Sequence, residues 1–185
     1  SCNNKTLHVN LTNTVNETNE VAQGVAPFHY IKNATIKDLT IAGTISSASY
    51  HTSGLVGFAD GENLLEGCVV NATLNITNNY AGGIVGHGRS SATTIKDYIF
   101  AGSINGGNTS RSNIGGIWGW SDTAQPKLQN CLEKGTYTYI SSMHPMGLLG
   151  KSGSITDCYY LTAQKGSPSN VCTLSGATRV YTSDD

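Results

Sequence analysis

A short apolar motif bounded by glycines occurs four times in this 185-residue chain and limits its possible folds more than any other feature. The copies read "SGLVGFAD" at 53–60, "GGIVGHG" at 82–88, "GGIWGWS" at 115–121 and "MGLLGKS" at 146–152. The glycine after each apolar pair recurs at intervals of 29, 33 and 31 residues, at Gly57, Gly86, Gly119 and Gly150. A unit of about 30 residues cannot bury an apolar face alone, whereas stacked units can. The spacing therefore predicts a repeat architecture.

A second segment recurs in phase with the motif and has the pattern of β-strands. It reads "TIKDLTIAGTI" at 35–45, "LLEGCVVNATL" at 64–74, "TIKDYIFAGSI" at 94–104, "KLQNCLEKGTY" at 127–137 and "SITDCYYL" at 154–161. Apolar and polar residues alternate and β-branched residues are frequent, as is typical of strands. We predict an all-β fold, a right-handed parallel β-solenoid of about five rungs with a repeat of about 30 residues, its hand following the general bias of parallel crossovers.

The motif itself is predicted to form a strand with a corner. The column Leu55, Ile84, Ile117 and Leu148 is the more uniform one and is expected to point inward. The next column, Val56, Val85, Trp118 and Leu149, is expected to face outward or into a neighbouring layer. Glycines on either side permit a sharp corner or a close approach of backbones. These structural glycines are Gly54, Gly57, Gly83, Gly86, Gly116, Gly119, Gly147 and Gly150.

The chain is expected to form one solenoid domain over 1–185. Residues 1–34 form an N-terminal rung with a long loop, and residues 35–161 carry the repeats. Residues 162–185 leave the repeat register and are expected to form a C-terminal cap or a linker to a further module.

The net charge of -1 and the pI of about 6.5 indicate no basic face, so nucleic acid is not an expected partner. No apolar run approaches the ~18–20 residues that span a bilayer, so membrane insertion is not expected.

One column after the motif suggests a binding surface. Phe58, His87, Trp120 and Lys151 each follow the second motif glycine, and an exposed column of this kind would suit stacking on a sugar ring or anchoring a protein partner. The alternative is that Phe58 and Trp120 fill the corner beside the core. The loops at 46–52, 76–81 and 105–113 would offer a side surface for the same purpose.

The acidic residues are interpreted as turn residues and not as a metal site or a catalytic pair. In the column Asp38, Gly67, Asp97, Asn130 and Asp157, carboxylates separated by two rungs would lie about 9.6 Å apart, too far to share one calcium ion. Asp60 and Glu62 are interpreted as a solvated turn, although a pair of acids in a cleft would suit glycoside cleavage. We expect no catalytic residues, no metal site and no cofactor.

Three of the five cysteines, Cys68, Cys131 and Cys158, lie in one column of the repeat. Cys131 and Cys158 share a column on adjacent rungs, where buried thiols are the commoner outcome and a disulfide is the alternative. A link between Cys158 and Cys172 would tie down the C-terminal segment.

The sequences "GLVG", "GIVG", "GIWG" and "GLLG", with the companion "IKDLTIAGTI" segment, resemble the GLUG-motif repeats of bacterial cell-surface proteins over residues 24–161. The resemblance implies a secreted or wall-attached bacterial protein that is part of a longer multidomain chain. Repeats of this family occur beside other domains in proteins assigned as adhesins and in some surface peptidases. It carries no shared catalytic residues. We therefore expect a non-enzymatic adhesion or stalk module that binds a glycan or a host surface or matrix protein. The alternatives are a carbohydrate-active enzyme on a solenoid scaffold and a purely structural spacer.

Overall fold

The structure, a computed structural model that describes residues 5–16, 19–150, 152–171 and 173–182, is a parallel β-solenoid. Its widest sheet, here the first sheet, contains nine strands. These are β1 (Lys5–Asn13), β4 (Leu39–Ser47), β7 (Val69–Ile76), β10 (Ile99–Phe100), β11 (Ser103–Asn105), β15 (Leu132–Glu133), β16 (Thr136–Thr138), β19 (Cys158–Tyr160) and β20 (Ala177–Arg179).

Two further sheets complete the coil. The second sheet carries the glycine motifs and contains β2 (Phe28–Lys32), β5 (Val56–Gly61), β8 (Val85–Ser91) and β13 (Trp118–Ser121). The third sheet contains β3 (Thr35–Lys37), β6 (Leu64–Glu66), β9 (Thr94–Lys96), β14 (Lys127–Gln129) and β18 (Ser154–Thr156). A small pair, β12 (Ile114–Gly115) and β17 (Met143–His144), lies beside the motifs, and a single helical turn, α1 (Glu20–Gln23), lies between β1 and β2.

The third sheet displays the repeat most simply. Its five strands stack in parallel, and the chain advances 29, 30, 33 and 27 residues between the paired positions Thr35, Leu64, Thr94, Lys127 and Ser154. Five levels are thus joined by four circuits of the chain, which confirms the predicted parallel solenoid and its repeat length.

The interior consists of stacked columns, as the in-register pairing of like residues requires. Leu55, Ile84, Ile117 and Leu148 are fully buried, as predicted. The next column, Val56, Val85, Trp118 and Leu149, is fully buried as well, so none of its members faces solvent. Both residues of each apolar pair are withdrawn from water because the chain turns between two sheets at the motif. Burial of a side chain of this size stabilises the fold by roughly 1.5–3 kcal/mol.

The motif glycines allow neighbouring coils to approach closely. The Gly54 amide donates to the Gly83 carbonyl of the next level at 3.1 Å, and the Gly83 amide donates to the Gly115 carbonyl at 3.2 Å. A Cβ on Gly54 would lie 2.5 Å from the Gly83 oxygen, inside van der Waals contact. The repeated glycine is therefore required by backbone packing between levels, one of the two expected reasons.

The acidic column marks a turn, as predicted, and its composition has a conformational cause. Asp38, Gly67, Asp97, Asn130 and Asp157 have φ values of 55°, 65°, 54°, 49° and 50°. Only glycine enters this left-handed region freely, and Asn and Asp are the side chains that tolerate it best. Gly67 therefore belongs in the column, although it carries no acid. The Asn130 amide also donates to the Asp97 carboxylate at 2.6 Å, which links two neighbouring turns.

Cys68, Cys131 and Cys158 are buried. Cys131 and Cys158 occupy adjacent levels in register, since the Tyr159 amide donates to the Cys131 carbonyl at 2.8 Å. The predicted outcome of stacked thiols is therefore the one observed. Cys172, named above as a partner for Cys158, lies outside the described residues.

The C-terminal segment folds back onto the solenoid. The Gly150 amide donates to the Asn170 carbonyl at 2.9 Å, and the Asn170 side chain donates to the Ser121 carbonyl. Strand β20 extends the first sheet by pairing with β19. These contacts place 162–171 and 173–182 against the last coils. No helix in the described ranges is long and apolar enough to cross a membrane.

Candidate binding site

An aromatic cluster runs along the second sheet, on the side of the motifs. Tyr30, Phe58, His87 and Trp120 come from four neighbouring strands and are paired in register. Tyr30 stacks on Phe58 with ring centroids 5.7 Å apart, and Phe58 meets His87 edge to face at 4.8 Å. Parallel stacking at about 4.8 Å per level makes such contacts unavoidable when aromatic residues occupy equivalent positions.

Residues of the preceding loops cover this column. His51 stacks on His87 with a centroid separation of 4.3 Å, and the Tyr80 ring lies 5.8 Å from His51. Tyr80 in turn meets Trp120 edge to face at 4.8 Å, and Tyr50 lies 5.8 Å from Tyr80. The loop residues thus form a second aromatic layer outside the first.

The column that the sequence suggested as an exposed binding surface is less exposed than expected. Phe58 and His87 are 2% and 1% exposed, so the expectation that they form an exposed surface is wrong. The reason is that His51 stacks on His87, while Phe58 lies between the rings of Tyr30 and His87 on the neighbouring strands. Trp120 is half-buried and retains an open edge. Lys151, the fourth predicted member, lies outside the described residues.

Tyr50, His51 and Tyr80 are the residues that the column analysis did not identify, although their loops were named as a side surface. His51 and Tyr80 each stand three residues before the first motif glycine, at Gly54 and Gly83. They share φ values of 59° and 62°, and Asn113 occupies the same position at 56°. The position three residues before the motif glycine was the signal that the sequence offered for these residues. In the structure, an aromatic residue in a left-handed turn is unusual and points to a specific local role.

The open part of the cluster is a cleft of about 260 Å³. It is lined by Gln23, Tyr50, His51, Tyr80 and Trp120. Two tyrosine rings and an indole present flat apolar surface, while the tyrosine hydroxyls and the Gln23 amide supply hydrogen-bonding groups. Aromatic faces beside polar groups suit a sugar ring, which has apolar C–H faces and an equatorial rim of hydroxyls.

A carboxylate fixes the orientation of the indole. The Trp120 Nε1–H donates to Asp122 Oδ1 at 3.0 Å, and Asp122 Oδ2 lies 3.0 Å from His87 Nε2. The Trp118 Nε1–H donates to the Trp120 carbonyl at 2.8 Å, so the backbone of Trp120 is held as well. Trp120 is therefore fixed before any ligand arrives, which reduces the entropy lost on binding.

The imidazole ring of His51 lines the cleft and is uncharged. Burial lowers the pKa of His51 to about 3, and repulsion from the neighbouring His87 adds to the effect. His51 is consequently neutral across the physiological range and adds no positive charge to the cleft.

Asp60 lies on the same sheet but is engaged in an exposed ion pair. Its Oδ2 accepts from the Tyr30 hydroxyl at 3.1 Å and lies 3.1 Å from the Lys32 ammonium. The hydrogen bond from Lys32 lowers the pKa of Asp60. Asp60 is the fifth of the six residues of β5 and so lies in a strand and not in the expected turn, whereas Glu62 lies in the bend that follows.

A larger cleft of about 660 Å³ lies across β10, β15 and β19 on the outer side of the first sheet. Ile99, Leu132, Leu161 and Val180 contribute aliphatic surface there, with Tyr159 at its rim. It lacks the converging rings and fixed indole of the aromatic cleft, so we place the candidate site at the smaller one. No group of three His, Cys, Asp or Glu residues suited to a metal ion occurs in the part of the chain that the structure describes.

Comparison with models of known protein families, with curated proteins and with solved structures gave no match to this chain.

Proposed function

We propose that this chain is a non-enzymatic surface module of a secreted or wall-attached bacterial protein, which adheres by binding a glycan in the cleft of Tyr50, Tyr80 and Trp120. The observation that carries the proposal is the fixed indole of Trp120 beside two half-buried tyrosine rings. Rigid aromatic anchors with a polar handle are the groups that dominate recognition surfaces.

The parallel solenoid supports an adhesive or stalk role because it is rigid along its length. Coils joined by in-register strands transmit force through many hydrogen bonds at once, and the cleft sits on the side of the rod, where a ligand has access. The resemblance to GLUG-motif repeats is consistent with an extracellular or cell-surface location, and membership of that family is part of the proposal. A host surface or matrix protein is the alternative ligand of the same cleft.

A binding screen against arrayed glycans and host matrix proteins tests the proposal. We expect saturable binding of at least one neutral glycan, lost in Trp120→Ala. Truncation of a central aromatic anchor typically costs more than ~1 kcal/mol, or over fivefold in affinity. Tyr159→Ala is the matched control, since Tyr159 is an exposed aromatic residue of the first sheet, at 44% exposure.

Two results of the screen would contradict the proposed adhesive function and favour one of its alternatives. A flat response across both arrays, with a folded protein, would favour the structural spacer. Release of reducing sugar from an arrayed polysaccharide would favour the carbohydrate-active enzyme, which needs two carboxyl groups about 5–9.5 Å apart on either side of the bond that is cleaved.

A further inference from the structure

The larger cleft on the outer side of the first sheet has no part in the function proposed above. It measures about 660 Å³, within the ~300–1,000 Å³ of sites that bind small molecules. Four aliphatic side chains define it, here called the aliphatic cleft: Ile99, Leu132, Leu161 and Val180. A concave surface that exposes several apolar side chains commonly marks a binding site.

The first wall of the aliphatic cleft faces outward because its neighbours along the chain point into the core. Phe100 and Glu133 directly follow Ile99 and Leu132 and are fully buried, so the alternation of a strand turns the two aliphatic side chains away from the core. The same outward column has threonine on either side of the cleft and reads Thr40, Val69, Ile99, Leu132, Tyr159 and Thr178. Large apolar residues thus occupy this column at the cleft and one level before it.

A second outward column forms the opposite wall and carries a charge. Lys134, Leu161 and Val180 occupy successive levels, because the residues that precede them pair in register at Glu133, Tyr160 and Arg179. Lys134 is exposed, and the ion pairs between described residues do not include its ammonium group. Within the described part of the chain, this wall therefore presents a cation without a carboxylate partner.

The polar groups at the other end of the aliphatic cleft are already engaged. Asp97 Oδ1 accepts from Asn130 Nδ2 at 2.6 Å, and Asp97 Oδ2 lies 3.6 Å from the Lys96 ammonium. Asn130 and Lys134 are four residues apart, which is up to about 13 Å along the strand direction. The cleft is thus aliphatic along its length and offers its unpaired charge at one end.

We propose that the aliphatic cleft binds a long-chain fatty acid, with the acyl chain against Ile99, Leu132 and Leu161 and the carboxylate at the Lys134 ammonium. A linear amphiphile matches this distribution because its one charged group lies at the end of an apolar chain. A rigid ring system with hydroxyl groups around its rim would need hydrogen-bonding groups along the walls, which aliphatic side chains do not provide. The glycan cleft lies on the second sheet, so the two sites can be tested separately.

A second copy of the chain is a poorer occupant of the same surface. In a two-fold interface the same patch meets itself, and two concave surfaces would enclose a void between them. The two Lys134 ammonium groups would also enter one contact region, where like charges repel each other. A single small amphiphile avoids both costs.

Calorimetric titration with octanoate, decanoate and dodecanoate, each below its micelle concentration, tests the apolar part of the proposal. Affinity is expected to rise with chain length by up to about fourfold per methylene, because each buried methylene contributes a similar increment. Leu132→Asn is expected to weaken dodecanoate binding by about fivefold or more. Leu64→Asn is the matched control and should not weaken it, since Leu64 is a half-buried leucine of the third sheet, outside the cleft.

Decanol, which lacks the charge of decanoate, tests the contribution of Lys134. The wild-type protein is expected to bind decanoate more tightly than decanol. Lys134→Met should weaken decanoate binding by up to about fivefold, the range for one exposed ion pair, and should bind decanol no more weakly than the wild type. Lys127→Met replaces an exposed lysine of the third sheet and should change neither affinity.

Several results would overturn the proposal. These are the absence of acid binding, an affinity that does not depend on chain length, an unchanged dodecanoate affinity in Leu132→Asn, and a preference for decanoate over decanol that survives in Lys134→Met. If Leu132→Asn fails to fold by circular dichroism, Val180→Asn replaces it under the same criteria, since Val180 is 39% exposed. Binding to vesicles of anionic phospholipid without binding of the free acids would contradict the proposal and assign the cleft to a membrane surface.

Discussion

The indole of Trp120 is held by the carboxylate of Asp122, which accepts the Nε1–H at 3.0 Å. The same carboxylate reaches the buried ring of His87, so one exposed acid connects the surface aromatic residue to the aromatic column beneath it. Asp122 is in this account a positioning residue, which acts on a ligand through Trp120.

Asp122→Ala is expected to weaken glycan binding about two- to tenfold, the range for loss of one hydrogen bond of 0.5–1.5 kcal/mol. Asp122→Asn should bind nearly as well as wild type, because its amide oxygen can still accept from the indole. Calorimetric titration measures both. Equal losses in the two variants would contradict the positioning role.

Glu133 is a buried carboxyl group in an otherwise apolar inward column, and it makes stability depend on pH. Burial raises its pKa to about 7, although its Oε1 accepts from the Tyr137 hydroxyl at 2.8 Å and from the Gly135 amide at 2.7 Å. A raised pKa in an acid means that the folded state holds the proton more tightly. The stabilisation is therefore complete below about pH 4.5 and declines as pH rises through 7.

Glu133→Gln should remove that decline. Across pH 4.5–8 the wild-type free energy of unfolding should fall relative to the variant by up to roughly 3 kcal/mol. Urea denaturation at several pH values measures the difference. A constant difference between the two proteins across this range would contradict the assigned pKa.

His51 gives a pH dependence of the opposite sign. Its folded-state pKa of about 3 lies below the ordinary value of 6.5, so the unfolded chain binds the proton first. The stability that neutral His51 contributes is present above pH 6.5 and is lost as pH falls toward 3. His51→Asn keeps a residue that tolerates the φ of 59° and should make the loss of stability at acid pH less steep. The remaining loss belongs in part to His144, whose burial lowers its pKa to about 4. In the exposed control His8→Asn, the loss of stability between pH 6.5 and 4 should be as steep as in the wild type.

Gly83 tests the close packing between levels. A Cβ at this position would clash with the Gly116 carbonyl oxygen and the Phe100 ring, so Gly83→Ala is expected to destabilise the fold by more than about 2 kcal/mol. At Gly107 a Cβ would meet nothing within 4 Å, and only its φ of 73° is unfavourable, worth about 1–2 kcal/mol. Thermal unfolding of both variants compares the two costs, and a larger loss in Gly107→Ala would contradict the packing argument.

The repeat was accessible from the sequence because stacking converts a period of about 30 residues into columns of like residues. Leu55 and Ile84 could be placed inside for that reason, and Asp38 could be assigned to a turn. The burial of Phe58 was one of two alternatives, whereas that of His87 could not be foreseen, because it depends on how the loop carrying His51 folds over the neighbouring strand.

Glu133 illustrates a second limit on what can be predicted from the sequence. Glu133 pairs in register with the fully buried Phe100, and a carboxylate there is tolerable only because Tyr137, Gly135 and the Thr162 amide supply donors. Such compensation depends on three-dimensional contacts between residues up to 29 positions apart. The aromatic cleft is likewise assembled from four segments of the chain, and no single motif contains it.

The two tryptophan indoles provide the most direct test of the binding site. With ¹⁵N-labelled tryptophan, the protein gives one Nε1–H signal from half-buried Trp120 and one from fully buried Trp118. Titration with a glycan that binds in the array screen should move the Trp120 signal saturably and leave the Trp118 signal nearly unchanged. Saturable binding that leaves the Trp120 signal in place would contradict the assignment of the cleft.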